Sequence, residues 1–473
     1  MNAPISRLFG LFVLLFVALV FATSWTTVFK AKPLRDNALN RRELLEQQRI
    51  HRGLIRSADG TLLARSVRGQ QGTYHRTYPA GGLFAHAIGY SFTNLGQAGL
   101  EKTRNDDLTG QRTELTSILD QLRGKVRVGD DVATTLDARA QRVAIQALAG
   151  RTGSVVALEP ATGAIRVMAS TPGFDPNEVP RRFKSLNRQT GAPLLNRATQ
   201  AGYPPGSTFK VVTAAAAVDS GRFTPTSTLS GKSPIKVSGV PLTNFHNEQF
   251  GTIDMTTALT HSVNTYWAQI GEQLGKKTMG EYMDRFGFDA RPPLDYPANQ
   301  RRPSGEFKSS RLLSPESRFV DVGRMAIGQD KLQVTPLQMA MVAATIANGG
   351  TLMKPHLASR VIDPDGRTVD TVKPSVQSHV MSGASARAVG EMMSQVVKEG
   401  TGTAGALTGI DVAGKTGTAE IDVQRNITQP WFIAFAPAKN PRIAIAVTIE
   451  RSTGQGGTVA APVAKQVMES LLR

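Results

Sequence analysis

The sequence contains no cysteine, which removes disulfide frameworks, thiolate metal sites and cysteine nucleophiles together. That absence carries no address, since a chain without cysteine suits any compartment. No G-x-S-x-G elbow occurs, so an α/β-hydrolase is not indicated. No H-E-x-x-H occurs either, which removes the common zinc-hydrolase signature. Nothing else in the chain suggests a metal or cofactor. Internal repeats and long low-complexity tracts are also missing. Lysine and arginine exceed aspartate and glutamate by 55 to 37, a formal charge of +18, yet they are scattered and form no basic run. Without a clustered footprint or a nucleic-acid-binding motif, nucleic acid is not the indicated partner. A solubilising basic surface and attraction to an anionic envelope both remain open.

At 473 residues the chain is too long for one ordinary domain, and 40% apolar content is enough to bury substantial cores. One long uncharged run stands out, the 22 residues from Leu8 to Phe29. As a helix it is about 33 Å long, enough to cross a bilayer core of roughly 30 Å. Two readings fit: a retained single-pass anchor, or a cleaved signal with Ala22-Thr23-Ser24 as its small-residue site. Either exports the body. The flanking charges disagree, because only Arg7 precedes the run whereas Lys30, Lys32 and Arg35 follow it. The positive-inside rule would keep the downstream side cytoplasmic, but it is weakest before a long domain.

Residues 36–50 suggest a short helix leaving the membrane. Strands are expected around Gly53–Ile55 and Thr61–Ala64 about an Asp59-Gly60 turn. The stretch 51–135 carries no catalytic constellation and reads as a spacer or docking region. Apolar, β-prone runs at 153–158 and 164–170 predict a hairpin, and 415–421, 431–436 and 442–449 predict three further strands. Between them the pattern predicts helices over 208–220, 256–274 and 335–348, with a last one over 461–472. Distant strands bracketing a helical middle give an α+β fold, one mainly antiparallel sheet with helices on its faces.

Three short motifs stand in order: Ser207-Thr-Phe-Lys210, Ser262-Val-Asn264 and Lys415-Thr-Gly417. Each alone is weak. Ser233-Pro-Ile-Lys236 also fits the first pattern, and Ser185-Leu-Asn187 fits the second. Context separates them, because Ser207 follows Tyr203-Pro-Pro-Gly206 and heads an alanine-rich run, which places it after a sharp turn at a helix start. A serine hydroxyl needs an adjacent base. Lys210, three residues on, is expected beside it, and is a base only if burial and a neighbouring cation such as Lys415 favour its neutral form. Ser262 offers a hydroxyl for proton relay, and Asn264 a donor and an acceptor for a peptide. Lys415, with the hydroxyls of Thr416 and Thr418, offers a site for a terminal carboxylate. His246 and His261 lie near the middle motif and read as structural or surface residues.

With those motifs the sequence resembles the class B penicillin-binding proteins, and most of all the actinobacterial penicillin-binding protein A group. The resemblance extends through Arg52-Gly-Leu-Ile55, Arg76-Thr-Tyr-Pro79, His86-Ala-Ile-Gly89 and Gly99-Leu-Glu101. It continues in Thr135-Leu-Asp137 through Gln141, Thr171 to Asn177, Gly328-Gln329 and Thr335-Pro-Leu-Gln338, so it covers residue 52 to the end. It implies a short tail and transmembrane anchor (1–30), an elongated pedestal (31–150) and a transpeptidase domain built on a five-stranded sheet (151–473). The implied activity is D,D-transpeptidation of peptidoglycan stem peptides through a Ser207 acyl-enzyme, blocked by β-lactams and needing no cofactor. Lys210, Ser262, Asn264 and Lys415 would be the other catalytic residues. Thr416, Gly417 and Thr418 would bind substrate, and the Ser207 and Thr418 amides would form the oxyanion hole. It also implies a retained anchor, a catalytic domain outside the cytoplasm and a RodA/FtsW-like glycan polymerase as partner. A β-lactamase or D,D-carboxypeptidase is the nearest alternative; against the former, no E-x-x-L-N lies between Ser262 and Lys415. A non-catalytic envelope scaffold or β-lactam sensor is the alternative of another class.

Overall fold

The computed structural model describes residues 3–28, 48–110 and 128–473. Most of the helix expected over 36–50 falls outside them. Helix α1 (Ala3–Val28) holds the uncharged run from Leu8 up to Val28. Its segment Pro4–Thr26 is long and apolar enough to cross a membrane, and none of it is buried against the protein. A helix with phenylalanines and leucines exposed all round has no aqueous environment that suits it.

The next part of the chain supplies strands β1 (Ile55–Arg56), β2 (Leu62–Arg68), β3 (Tyr74–Thr77) and β4 (Asp131–Thr134). The Asp59-Gly60 turn sits between β1 and β2 as the sequence suggests, with Gly60 at φ 83°. Helix α2 (Ala138–Leu148), capped by Asp137, leads to β5 (Gly153–Leu158) and β6 (Ile165–Thr171). The helical middle holds α3 (Lys210–Asp219), α4 (Met255–Thr260), α5 (Asn264–Arg285) and α6 (Pro336–Ala347). Then come β7 (Ala358–Ile362), β8 (Thr368–Thr371) and α7 (Gly383–Lys398). Strands β9 (Ala413–Asp422), β10 (Ile427–Ala436) and β11 (Ile443–Ile449) precede α8 (Ala461–Leu472).

Two sheets organise these elements. The five-stranded sheet runs β9-β10-β11-β5-β6, antiparallel throughout, as the strand pattern predicts. Both its faces are covered. Val155, Ala157, Phe432, Ala434, Ile445 and Val447 pack with α2 and α8, whereas Val156, Leu158, Ile433, Phe435, Ala444 and Ala446 join the helical middle. That is why β5, β11 and the 431–436 stretch of β10 read as nearly continuous apolar runs rather than as polar–apolar alternation. Helix α6 is buried along almost its whole length, starts on a Thr335 cap with proline in its first turn, and ends before Gly349 and Gly350, both at positive φ.

The second sheet runs β8-β7-β4-β1-β2-β3, so two strands from beyond residue 350 return to complete the sheet begun near residue 55. No local pattern announces that return. Helices α2 and α7 add to the expected ones; α7 opens in the Gly/Ser/Ala-rich stretch 383–386, yet it carries a Ser382 cap and buries Ala386, Val389, Met392, Met393, Val396 and Val397 at helical spacing. The helix expected over 256–274 is divided, with α4 ending at Thr260 and α5 starting at Asn264. Ser262 lies in the break at φ 61°, a conformation costly for a residue with a side chain.

The blocks that carried the family resemblance serve as scaffold. Glu101 is fully buried and accepts from Arg52 Nε at 2.8 Å and Arg76 Nε at 2.6 Å, drawing three separate blocks into one ion cluster. Burial alone would raise the Glu101 carboxyl, but Arg76 and Arg52 outweigh it and hold the group below its usual value. Gln141 bridges Leu83 O and Met168, and Asn177 pairs with the backbone of Tyr78.

Candidate active site

The turn before Ser207 is fixed from several sides. Tyr203 exchanges backbone hydrogen bonds with Val334, and Gly206 N donates to Gly328 O at 3.0 Å. The Trp431 indole donates to Pro204 O at 2.9 Å, and the Tyr203 hydroxyl donates to Glu450 Oε1 at 2.6 Å. Arg197 Nε lies 3.3 Å from the other Glu450 oxygen. Gly206 has φ 52°, and a Cβ there would stand 3.2 Å from Thr418 N and 3.0 Å from Ala419 N. Only glycine brings this turn so close to β9. Gly328 in turn approaches Gly206 so closely that a Cβ would lie 1.9 Å from Gly206 O.

Residues Gly206–Phe209 form a 3₁₀ turn running into α3, so Ser207 does sit at a helix start after a sharp turn. The Lys210 side chain is fully buried. Its Nζ donates to Ser262 O at 2.7 Å and Asn264 Oδ1 at 2.7 Å, and lies 3.2 Å from Ser262 Oγ. The Ser207 hydroxyl is not among its hydrogen-bond partners, so the amine is lodged on the second motif. The break at Ser262 explains this, because it turns a backbone carbonyl towards the amine that a continuous helix would have consumed internally. Burial, with Lys415 as the lesser cause, drives the Lys210 amine well below its ordinary value. A neutral amine that gives both protons to carbonyl oxygens keeps its lone pair for a hydroxyl.

Lys415 is also fully buried; it donates to Thr416 O at 3.0 Å, and burial lowers its amine to about 7. Gly417 faces the turn: a Cβ there would stand 2.6 Å from Pro205 O and 3.1 Å from Thr208 N. Thr416 and Thr418 lie on the other side of β9. The Thr416 hydroxyl pairs with Thr401 Oγ1 at 2.6 Å, and the Thr418 hydroxyl accepts from Gly456 N at 3.1 Å. The three motifs thus come together at one place, on three elements far apart in sequence. Thr401, Gly456, Glu450, Arg197 and Trp431 complete the surroundings, and no spacing pattern marked any of them.

The competing matches separate. Ser233 is buried, donates to Asn247 Oδ1 at 2.7 Å and accepts from Asn244 N, so it ties a loop behind the middle motif. Lys236 is exposed, and so is Ser185 on its own helix. His246 and His261 are exposed as well. Among the described residues there is no cluster of three or more His, Cys, Asp or Glu able to hold a metal.

Residues 153–469 match the penicillin binding protein transpeptidase domain, and residues 52–132 match the penicillin binding protein A dimerisation domain. The chain belongs to the class B penicillin-binding proteins. It is 34% identical, over its whole length and 99% of the relative's, to the peptidoglycan D,D-transpeptidase PbpA of Mycolicibacterium smegmatis. The structure resembles penicillin-binding protein A from M. tuberculosis, solved as a ceftriaxone acyl-enzyme complex. TM-score is 0.81 and identity 32%, covering 91% of this chain and all of that one. PBP2 of Pseudomonas aeruginosa is similar at TM-score 0.74 and 30% identity, over 89% of this chain and 96% of that one.

Proposed function

We propose that the chain is a peptidoglycan D,D-transpeptidase and that Ser207 is its nucleophile. The observation that carries this reading is the buried, neutral-leaning Lys210 amine held on Ser262 and Asn264 with Lys415 beside it. Ser207 Oγ attacks the penultimate D-alanine carbonyl of a stem peptide while Lys210 accepts the hydroxyl proton. The Ser207 and Thr418 amides, brought together by Gly206, stabilise the oxyanion. Ser262 relays the proton to the departing D-alanine nitrogen, Asn264 holds the donor peptide, and an acyl-enzyme remains. An amine of a neighbouring stem then attacks the ester, gives its proton back through the same path and restores the Ser207 hydroxyl. Lys415, Thr416 and Thr418 supply the positive charge and hydroxyls for the donor's terminal carboxylate, with Gly417 permitting the strand's approach. A β-lactam enters as a mimic of that donor and stays on Ser207.

The same reading assigns residues 1–30 to a tail and retained anchor, 31–150 to a pedestal and 151–473 to the transpeptidase. The catalytic part works outside the membrane, where its substrate lies. Polymerisation of the glycan falls to a partner of the RodA/FtsW type.

Labelling with a fluorescent penicillin tests the nucleophile. Wild type and Ser233→Ala take the label and Ser207→Ala does not; label retained by Ser207→Ala sinks the assignment. Transfer of the acyl group to an added amino-acid amine, measured against hydrolysis, separates the transferase from a carboxypeptidase.

A further inference from the structure

Away from the active site a crevice of about 480 Å³ opens between the two sheets. Its floor is Ala133 on β4. Both neighbouring strands put an arginine opposite that alanine, Arg56 on β1 and Arg360 on β7. Residues in register across a sheet share a face, so the two guanidinium groups rise on either side of a small floor residue. Two strand spacings of about 4.8 Å separate their rows, a distance two long side chains close readily. Arg166, on β6 of the five-stranded sheet, lines the facing wall.

Arg56 and Arg360 are poorly neutralised. The Arg360 guanidinium has no hydrogen-bond or ion partner among the described residues, and that of Arg56 has a single 3.3 Å bond to Gly60 O. Arg166 shares distant carboxylates, Asp137 at 3.5 Å and Glu159 at 3.6 Å. Glu159 is the one carboxylate in the lining against three arginines, and the rest mixes threonine and serine hydroxyls with His356 and apolar residues such as Ile362 and Pro374. Guanidinium forks match carboxylates in two-point contact, and hydroxyls suit sugar and peptide groups. The volume equals about sixteen waters at roughly 30 Å³ each, the size of a short peptide or a sugar pair.

We infer that this crevice is a second, non-catalytic binding site for an uncross-linked peptidoglycan fragment, in which Arg56 and Arg360 hold a stem-peptide carboxylate. It rests on the transpeptidase reading, because it is that reading which brings the polymer to the protein's surface. A modest surplus of charge on two exposed arginines favours one or two carboxylates over a run of phosphodiesters.

The test uses the full chain in detergent with its active site blocked by penicillin, and calorimetry with a soluble disaccharide carrying a stem peptide. The blocked chain binds this probe, and Arg56→Ala/Arg360→Ala weakens binding at least tenfold. Penicillin labelling and melting temperature of the variant stay at wild-type values; if the double variant does not fold, Arg360→Gln replaces it. Binding abolished by penicillin, or unchanged in the variant, overturns the inference. So does equal affinity for the probe with amidated carboxylates, for a glycerol-phosphate oligomer or for inorganic phosphate. Failure of penicillin labelling in wild type would sink the transpeptidase reading instead, so the two failures are distinct.

Discussion

Replacing Gly417 by alanine tests whether the site depends on the contact between β9 and the Ser207 turn. The added methyl would stand 2.6 Å from Pro205 O, where ordinary contact begins near 3.4 Å, so something must yield by about 0.8 Å. Pro205 O is backbone and already accepts from the Thr208 hydroxyl, so no flexible tip can swing aside. The strand cannot retreat either, since Gly456 is packed against Gly417 from behind, where its own Cβ would lie 2.4 Å from Gly417 O. The displacement therefore falls between Ser207 and Thr418, across the intended oxyanion site. A misplacement near 1 Å costs about a hundredfold in rate. Overpacking adds about 1–3 kcal/mol of destabilisation. Gly417→Ala is expected to lower the rate of acylation by fluorescent penicillin about a hundredfold while the chain still melts cooperatively. Gly251→Ala, where nothing lies within 4 Å of the new methyl, serves as the control and keeps wild-type labelling. Labelling by Gly417→Ala within threefold of wild type would refute the argument.

Lys415→Met removes the cation that helps keep Lys210 neutral, so the Lys210 amine rises and the acid limb of the labelling-rate profile moves to higher pH; an unmoved limb excludes the coupling. Glu306 is fully buried with both carboxylate oxygens unpartnered, and burial, with Asp330 second, raises it to about 8. Its folded value lies above its unfolded one, so its contribution to stability declines as pH rises from about 4.5 towards 8. The loss at pH 7 is of the order of 3 kcal/mol, and Glu306→Gln should flatten the melting temperature over that window; parallel curves contradict this. Glu101→Gln leaves Arg52 and Arg76 buried with half their partner, and a loss of about 3–5 kcal/mol is expected in denaturant unfolding. The Glu101 carboxyl is held low in the folded state, so the wild type loses stability as pH falls through that depressed value.

Much of this protein is written in local pattern. A sheet strand buried on both faces has no polar residues to spare, which made 153–158, 431–436 and 442–449 readable as strands. An uncharged run, unburied among the described residues, made the membrane-length helix readable, and Thr335-Pro336 and Gly349-Gly350 bracketed α6. The order Ser207, Lys210, Ser262, Asn264, Lys415 could be picked from its decoys because proline, glycine and a following helix distinguish Ser207 from Ser233. Other features exist only once distant segments meet. The break at Ser262 could not be read, since its sequence is helical and its reward, a carbonyl for Lys210, lies 52 residues away. The return of β7 and β8 to the first sheet places Arg360 opposite Arg56, and no spacing encodes a pairing across some 300 residues. Burial decides the charge states of Lys210, Lys415 and Glu306, and burial is a property of the packed chain. The sequence determined which groups are available for chemistry. The tertiary structure decided which are neutral, which are paired and which face one another, because desolvation and register are set only when the layers close.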